Sequence, residues 1–569
     1  MWATRPHLGS IFEKLLHRKT FYLCFARCSS CDFCVLRIYF FPVTWYTEKK
    51  KHTDRRNYTV FATIKSLGLF GLNAFPVDVE VDIQKGLPHF DIVGLPDAAV
   101  KESRERIRAA LYSISVTLPP KHIVVNLAPA DVKKSGTMHD LAILVGVLKS
   151  MGQLSCSTQG KFFIGEVSLS GEVRSVNGVL PMTILARSLG VEELYVPADN
   201  AAEAATIQDV RVFGIHNIGE LIDHLEGDAP LSPAQPADFT EPDAPENLLD
   251  FSDVKGQQTV KRALEIVAAG GHNVLLVGAP GSGKSMLAKR MPYILPEMTM
   301  EESIETTNIY SISGLLDPKH PLITKRPFRA PHHTISGVGL VGGGTIPHPG
   351  EISLAHNGLL FLDELAEFDR HTLDILRQPL EDHIVTITRA AGTISYPCRF
   401  MLVGAMNPCP CGYYGHPKRR CSCSPQAIQR YRSRISGPLL ERFDLQVEVD
   451  PVSYEDLTTT EPIETSADIR KRVQAAREIQ EKRFSGTSIF CNAQIPAGKL
   501  QQYCPMEETA ERLVQDAFDR LGLSARSYDR LLKVGRTIAD LAGSACILRR
   551  HMAAAIQYCS LSWKYLPPI

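Results

Sequence analysis

Three short segments carry residue types that could hold and cleave a phosphoanhydride. Gly278-Ala279-Pro280-Gly281-Ser282-Gly283-Lys284-Ser285 follows the apolar run Val274–Val277 and precedes a helix-forming segment from Met286. Glycines at this spacing let successive backbone N–H groups turn toward a phosphate, and the helix N-terminus behind them adds positive dipole. Lys284 would reach the β- and γ-phosphates, and the Ser285 hydroxyl would ligate Mg²⁺. Leu359-Leu360-Phe361-Leu362 reads as a buried strand ending in Asp363 and Glu364. Asp363 would hold Mg²⁺ through water, and Glu364 would polarise the attacking water. A third apolar run, Phe400–Met406, ends at Asn407, whose amide could orient that water or the γ-phosphate.

A different chemistry is suggested by Cys409, Cys411, Cys421 and Cys423, two C-x-C pairs with Gly412 and Gly415 between them. Four thiolates so spaced could close a tetrahedral Zn²⁺ site; reduced, unligated thiols are the other reading. Lys418, Arg419, Arg420, Arg430, Arg432 and Arg434 lie within Gly412–Leu440, which holds no Asp or Glu. Such a patch grips a phosphate backbone without reading sequence, and Tyr413, Tyr414 and Tyr431 could stack on unpaired bases.

The elements that must position these groups are expected to form an α/β multidomain chain. The chain has 569 residues, enough for three or four domains. With 44% hydrophobic residues it can bury ordinary cores. Lys plus Arg (62) balances Asp plus Glu (62), so any nucleic-acid surface is a local patch. No apolar run is long enough to span a membrane. Clustered cysteines in a long chain suggest metal ligands in a reducing, cytoplasmic setting.

Residues 1–60 mix aromatic and basic residues without period and are expected to be a poorly ordered extension, with Val60 a candidate true start. An α/β domain is expected over 61–227, with a strand at Val77–Ile83, a helix at Ala98–Leu111, a strand at Lys121–Leu127 and a buried helix at Leu141–Leu148. Pro230, Pro233, Pro236, Pro242 and Pro245 mark a linker over 228–248. A second α/β domain follows over 249–453, and helical periodicity continues through 454–569.

These motifs in this order resemble an AAA+ ATPase. Arg326-Pro327-Phe328-Arg329-Ala330-Pro331-His332-His333 and Pro349-Gly350-Glu351-Ile352-Ser353-Leu354-Ala355-His356-Asn357-Gly358 resemble the magnesium-chelatase-like subgroup, and the match over about 61–562 is to the YifB/ComM family. The resemblance implies ATP and Mg²⁺, a hexameric ring, an AAA+ P-loop core with an all-helical C-terminal lid, and a Lon-protease-like N-domain. Its described members are DNA branch-migration helicases of natural transformation. By the same resemblance Arg442, in Leu439-Leu440-Glu441-Arg442-Phe443-Asp444-Leu445, would be an arginine finger for the neighbouring subunit. Arg526, in Ser524-Ala525-Arg526, would be a second sensor touching the γ-phosphate. Asp382–Pro397 would form a pore hairpin.

Gly337-Val338-Gly339-Leu340-Val341-Gly342 matches G-x-G-x-x-G, but no strand precedes it, so a flexible inserted loop is expected in place of a dinucleotide site. His332 and His333 read as structural loop residues. In the N-domain, Met138 stands where a Lon-type serine would be and no lysine occurs between Val173 and Ser188, so proteolysis is not expected. A metal-insertion ATPase of the magnesium-chelatase type and an ATP-dependent protease are the alternatives to a DNA motor.

Overall fold

The computed structural model describes residues 61–236, 249–344, 347–389, 392–458 and 463–559. The extension over 1–60 and most of the proline-rich linker lie outside them.

The first body is built on a seven-stranded mixed sheet. Phe61–Phe70 and Asn73–Gln84 form its central antiparallel hairpin, and Val77, Val79, Val81 and Ile83 point inward by strict alternation. His122–Ala128 and His89–Val93 extend one side, and Lys161–Phe163, Glu193–Pro197 and Arg211–Ile215 extend the other in parallel. Helices Ala98–Ser113 and Asp140–Ser150 cover the sheet. The second is apolar all round and almost wholly buried, as the run Leu141–Leu148 predicts.

The second body has a five-stranded parallel sheet in the order Phe328–Arg329, Leu359–Leu362, Met401–Met406, Val274–Gly278, Leu445–Val449. Its three middle strands are buried at every position, which is what a parallel sheet covered on both faces requires. Val274 and Leu276 face one core, while Leu275 and Val277 face the other. The first core also takes in helices Ser466–Phe484, Glu508–Leu521, Ala525–Leu541 and Arg549–Cys559, so the C-terminal helices share apolar surface with the sheet. Among the described residues no helix is long and apolar enough to cross a membrane.

The two bodies touch at defined points. Gly178 N donates to Ser311 O at 3.1 Å, and the Ser311 hydroxyl donates to the buried carboxylate of Glu203. The turn at Phe70-Gly71 packs against a hairpin formed by Ile384–Arg389 and Gly392–Pro397. There Phe70 and Leu72 join the core of Ile387 and Ile394, and a Cβ added at Gly71 or Gly392 would strike the opposing side chain.

Gly337–Val341 forms a short helix capped by Ser336, and Gly342–Gly343 pairs with His348–Pro349. The expectation of a flexible loop is therefore corrected: Leu340 is fully buried and anchors the segment, and Gly342 and Gly350 meet backbone to backbone.

Candidate nucleotide site

The phosphate loop, the acidic pair and Asn407 come from positions far apart in sequence, yet they leave the C-terminal ends of three adjacent parallel strands. That edge is where open α/β sheets bind ligands. Gly281 (φ 77°) and Gly283 (φ 93°) take the left-handed conformation that the loop needs, and Lys284 begins a helix. Gly278 has no room for a side chain because the Val449 carbonyl lies against it. Lys284 Nζ donates to the carbonyls of Gly278 (2.8 Å) and Ala279 (3.0 Å) and to Asn407 Oδ1 (3.2 Å). Burial pushes its ammonium pKa down, opposed by Asp363 and Glu364. Ser285 Oγ donates to Asp363 Oδ2 at 2.5 Å, so two hard oxygen donors converge as Mg²⁺ coordination requires. Pro280 and Ser282 complete the loop, whose turn closes through Ser282 N and Ala279 O at 3.2 Å.

Glu364 follows in a left-handed backbone conformation (φ 51°) with its side chain largely exposed. Its Oε2 lies 3.5 Å from His333 Nδ1. His333 was expected to be only structural, and nothing in its local pattern signals this contact, which depends on the Leu359–Leu362 strand lying beside Phe328–Arg329.

Arg442 and Arg526 stand elsewhere. Both guanidiniums pair with Glu381, Arg526 at 3.1 Å. The Arg442 carbonyl accepts from Asn273 Nδ2 at 3.0 Å, and Asn273 immediately precedes the strand whose far end is the phosphate loop. The two arginines are thus brought together at the edge of the sheet opposite Lys284. Burial, with Arg526 and Arg377 nearby, pushes the Arg442 pKa down, and Glu381 opposes this. Glu381 was not singled out from sequence, because only the fold reveals two arginines converging on it.

The four cysteines do come together. Sγ separations are 3.4 Å (Cys409–Cys411), 3.7 Å (Cys409–Cys421) and 3.6 Å (Cys411–Cys421), and all four sulfurs lie within 4.8 Å of one another. Zn–S bonds of about 2.3 Å in a tetrahedron place sulfurs about 3.8 Å apart, so the cluster has the size of a zinc tetrathiolate. Cys423 N donates to Cys421 Sγ at 3.4 Å. Burial opposes ionisation of Cys411, but the backbone N–H groups of Tyr413 and Ser422, together with hydrogen bonds from the Cys409 and Cys423 thiols, draw it down to about 6.

Around the cysteines, Lys418, Arg419, Arg420 and Arg430 are exposed. Arg432 Nε donates to the Pro408 carbonyl and Arg434 pairs with Glu367, so these two are tied into the protein. Tyr431 is buried and is not a stacking platform, because its ring belongs to the core around Ile435 and Leu439. Arg419 lies over Tyr413 and Arg432 over Tyr414.

Comparison with known proteins shows the family. The families described as "Magnesium chelatase, subunit ChlI", "Subunit ChlI of Mg-chelatase" and "Magnesium chelatase, subunit ChlI C-terminal" match residues 250–457, 79–200 and 463–559. Competence protein ComM of Haemophilus influenzae is 44% identical over 501 residues, covering 87% of this chain and 97% of its own length. The chain belongs to the YifB/ComM family. YifB of Escherichia coli is 42% identical over 490 residues, covering 86% of this chain and 95% of its own. More distantly, the magnesium-chelatase subunit ChlI of Cyanophora paradoxa is 24% identical over 318 residues, covering 52% and 78%. As a member of this magnesium-chelatase-like AAA+ family, the YifB/ComM chain is an ATPase by kinship, and the family implies ATP and Mg²⁺.

Proposed function

We propose that this YifB/ComM chain is an ATP-hydrolysing ring motor that acts on branched DNA, as a branch-migration helicase in the uptake and recombination of DNA. The convergence of Lys284, Ser285, Asp363, Glu364 and Asn407 on one sheet edge carries the hydrolytic part. Lys284 binds the β- and γ-phosphates, Asn407 orients the γ-phosphate or the water, and the Glu364 carboxylate accepts the water's proton. Ser285 and Asp363 would hold Mg²⁺, which supplies charge neutralisation on the phosphates.

The placement of Arg442 and Arg526 supports a ring. Their position at the far edge of the sheet, away from Lys284 of the same chain, supports their serving a neighbour's phosphates, and a site completed head to tail closes into a ring when the rotation fits. Six subunits, most simply, complete it. Glu381 holds both guanidiniums in register for that neighbour. On this reading Arg526 reaches the adjacent subunit's γ-phosphate together with Arg442.

The DNA part rests on the exposed basic cluster beside the cysteines and on the relative named a competence protein. The four cysteines bind one structural Zn²⁺, and the N-domain, read as Lon-like, contacts DNA or a partner and performs no proteolysis. A buried Ser–His contact there, Ser66 Oγ to His139 Nδ1 at 3.2 Å, is sealed from any substrate.

The matches to ChlI families favour a second reading, a metal-insertion ATPase subunit. Salt dependence of DNA binding distinguishes the two. Each phosphate contact adds about 0.9 to the slope of log K against log salt, so replacing Lys418, Arg419 and Arg420 together with Ala lowers that slope by about 2–3. An unchanged slope removes these residues from the DNA surface, and absence of DNA binding favours the metal-insertion reading.

A further inference from the structure

The cysteine cluster and the phosphate loop are parts of one structure. Within six residues the chain touches the loop twice, with two of the four thiols between the contacts. Asn407 accepts from Lys284 at 3.2 Å; Cys409 and Cys411 follow; then Gly412 packs on Pro280, at the crest of the loop. Gly412 is left-handed (φ 82°), and a Cβ there would run into the Pro280 ring. Its N–H closes a turn onto the Cys409 carbonyl at 2.9 Å. A small cavity between the two segments is lined by Val277, Gly278, Gly412, Tyr414, His416 and Val449, so the cysteine loop forms one wall beside the nucleotide site.

The second thiol pair lies ten residues further on. Cys421 and Cys423 precede the helix Pro425–Arg432, which reaches back through Arg432 Nε to the Pro408 carbonyl at 3.2 Å. A metal bridging the pairs would therefore clip the Cys409–Gly412 segment to a helix that ends two residues before Arg434, which is fixed to the Ala366 carbonyl and to Glu367, just beyond Glu364. Asn407 directly follows the buried strand Met401–Met406, which pins it beside Val277, whereas Gly412 lies past Cys411 and meets the loop through its contact with Pro280.

We infer that the tetrathiolate cluster is a positioning element of the nucleotide site: Zn²⁺ bound by the four cysteines holds Gly412 against Pro280 of the phosphate loop, beside Asn407, and so sets nucleotide affinity. This rests on the zinc reading above. Removing the metal releases the wall formed by Gly412, which follows Cys409 and Cys411, while Asn407 stays at the end of its strand.

The test uses the full chain, with zinc measured by elemental analysis and nucleotide affinity by titration with a fluorescent N-methylanthraniloyl derivative of ATP. Stripping zinc with a chelator and a thiol-specific mercurial, then removing the mercurial with a reductant, should weaken affinity about tenfold or more, and added Zn²⁺ should restore it. Far-UV circular dichroism confirms that the stripped chain is folded. Gly412→Ala supplies an independent arm: it keeps all four thiols and its zinc, but overpacking against Pro280 should still weaken affinity about tenfold. Protein that carries zinc and binds nucleotide equally well with and without it overturns the inference and leaves the zinc reading intact. Gly412→Ala with wild-type affinity also overturns it. Protein that carries no zinc and takes up none overturns both readings.

Discussion

Arg442→Ala removes the guanidinium proposed to complete the neighbour's site. Its own phosphate loop lies beyond the far end of Val274–Gly278, whose five residues span about 13 Å at roughly 3.3 Å per residue. No side chain at Arg442 bridges that length, so the variant should bind ATP normally. Arginine fingers contribute about 10³-fold or more by neutralising charge that develops on the γ-phosphate, which is about 4 kcal/mol of transition-state stabilisation. Hydrolysis should therefore fall by that factor. Lys284→Ala fails to bind ATP but still presents Arg442. In rings assembled at random from equal amounts of the two variants, about a quarter of interfaces pair an intact phosphate loop with an intact finger. Phosphate release should recover to at most about a quarter of the wild-type rate and follow the product of the two fractions as the ratio varies. Co-assembly is checked by pull-down of differently tagged chains. Mixed assemblies that hydrolyse nothing at any ratio would refute the assignment of Arg442 to the neighbour.

Lys284→Ala and Glu364→Gln should differ in kind: the first loses nucleotide affinity, while the second keeps ATP bound and blocks turnover, because only the second spares the phosphate contacts. Filter binding and phosphate release measure both, and wild-type turnover by Glu364→Gln removes it as the base. Burial, reinforced by Lys134, pushes the His139 imidazole down to about 4, against an ordinary value near 6.5. The unfolded chain then binds the proton more readily, so this stabilisation is complete above about pH 6.5 and is lost as pH falls toward 4, by about 3 kcal/mol. His139→Asn should show a shallower loss of stability across that window in denaturant titrations; an identical slope would show that His139 does not titrate on unfolding.

Periodicity and motif context located the elements that carry the chemistry. The apolar runs at Val274, Leu359 and Met401 could only be buried strands, since each is too short for a helix and flanked by turn residues. The loop and acidic pair were legible because their chemistry requires fixed spacing. The strands Glu193–Pro197 and Arg211–Ile215 were not singled out, being short segments whose identity comes from lying parallel to Lys161–Phe163. Strand order was equally hidden, and with it the contacts that depend on neighbouring strands. His333 beside Glu364, Glu381 between two arginines and Gly412 on Pro280 are all of this type. Tyr431 shows the converse limit: a tyrosine in a basic run reads as exposed until the apolar spacing of Ile428, Tyr431 and Ile435 is seen to bury it.

The central claim is that ATP hydrolysis by this YifB/ComM chain is coupled to DNA, and the most direct measurement is steady-state ATPase activity with alternative effectors. Four-way-junction DNA, a porphyrin with Mg²⁺, and casein are each titrated into the wild-type protein, with Glu364→Gln as the background. The account predicts stimulation by junction DNA that weakens as salt rises, with no stimulation by porphyrin or casein. Stimulation by porphyrin and none by DNA would contradict it and establish the metal-insertion reading instead.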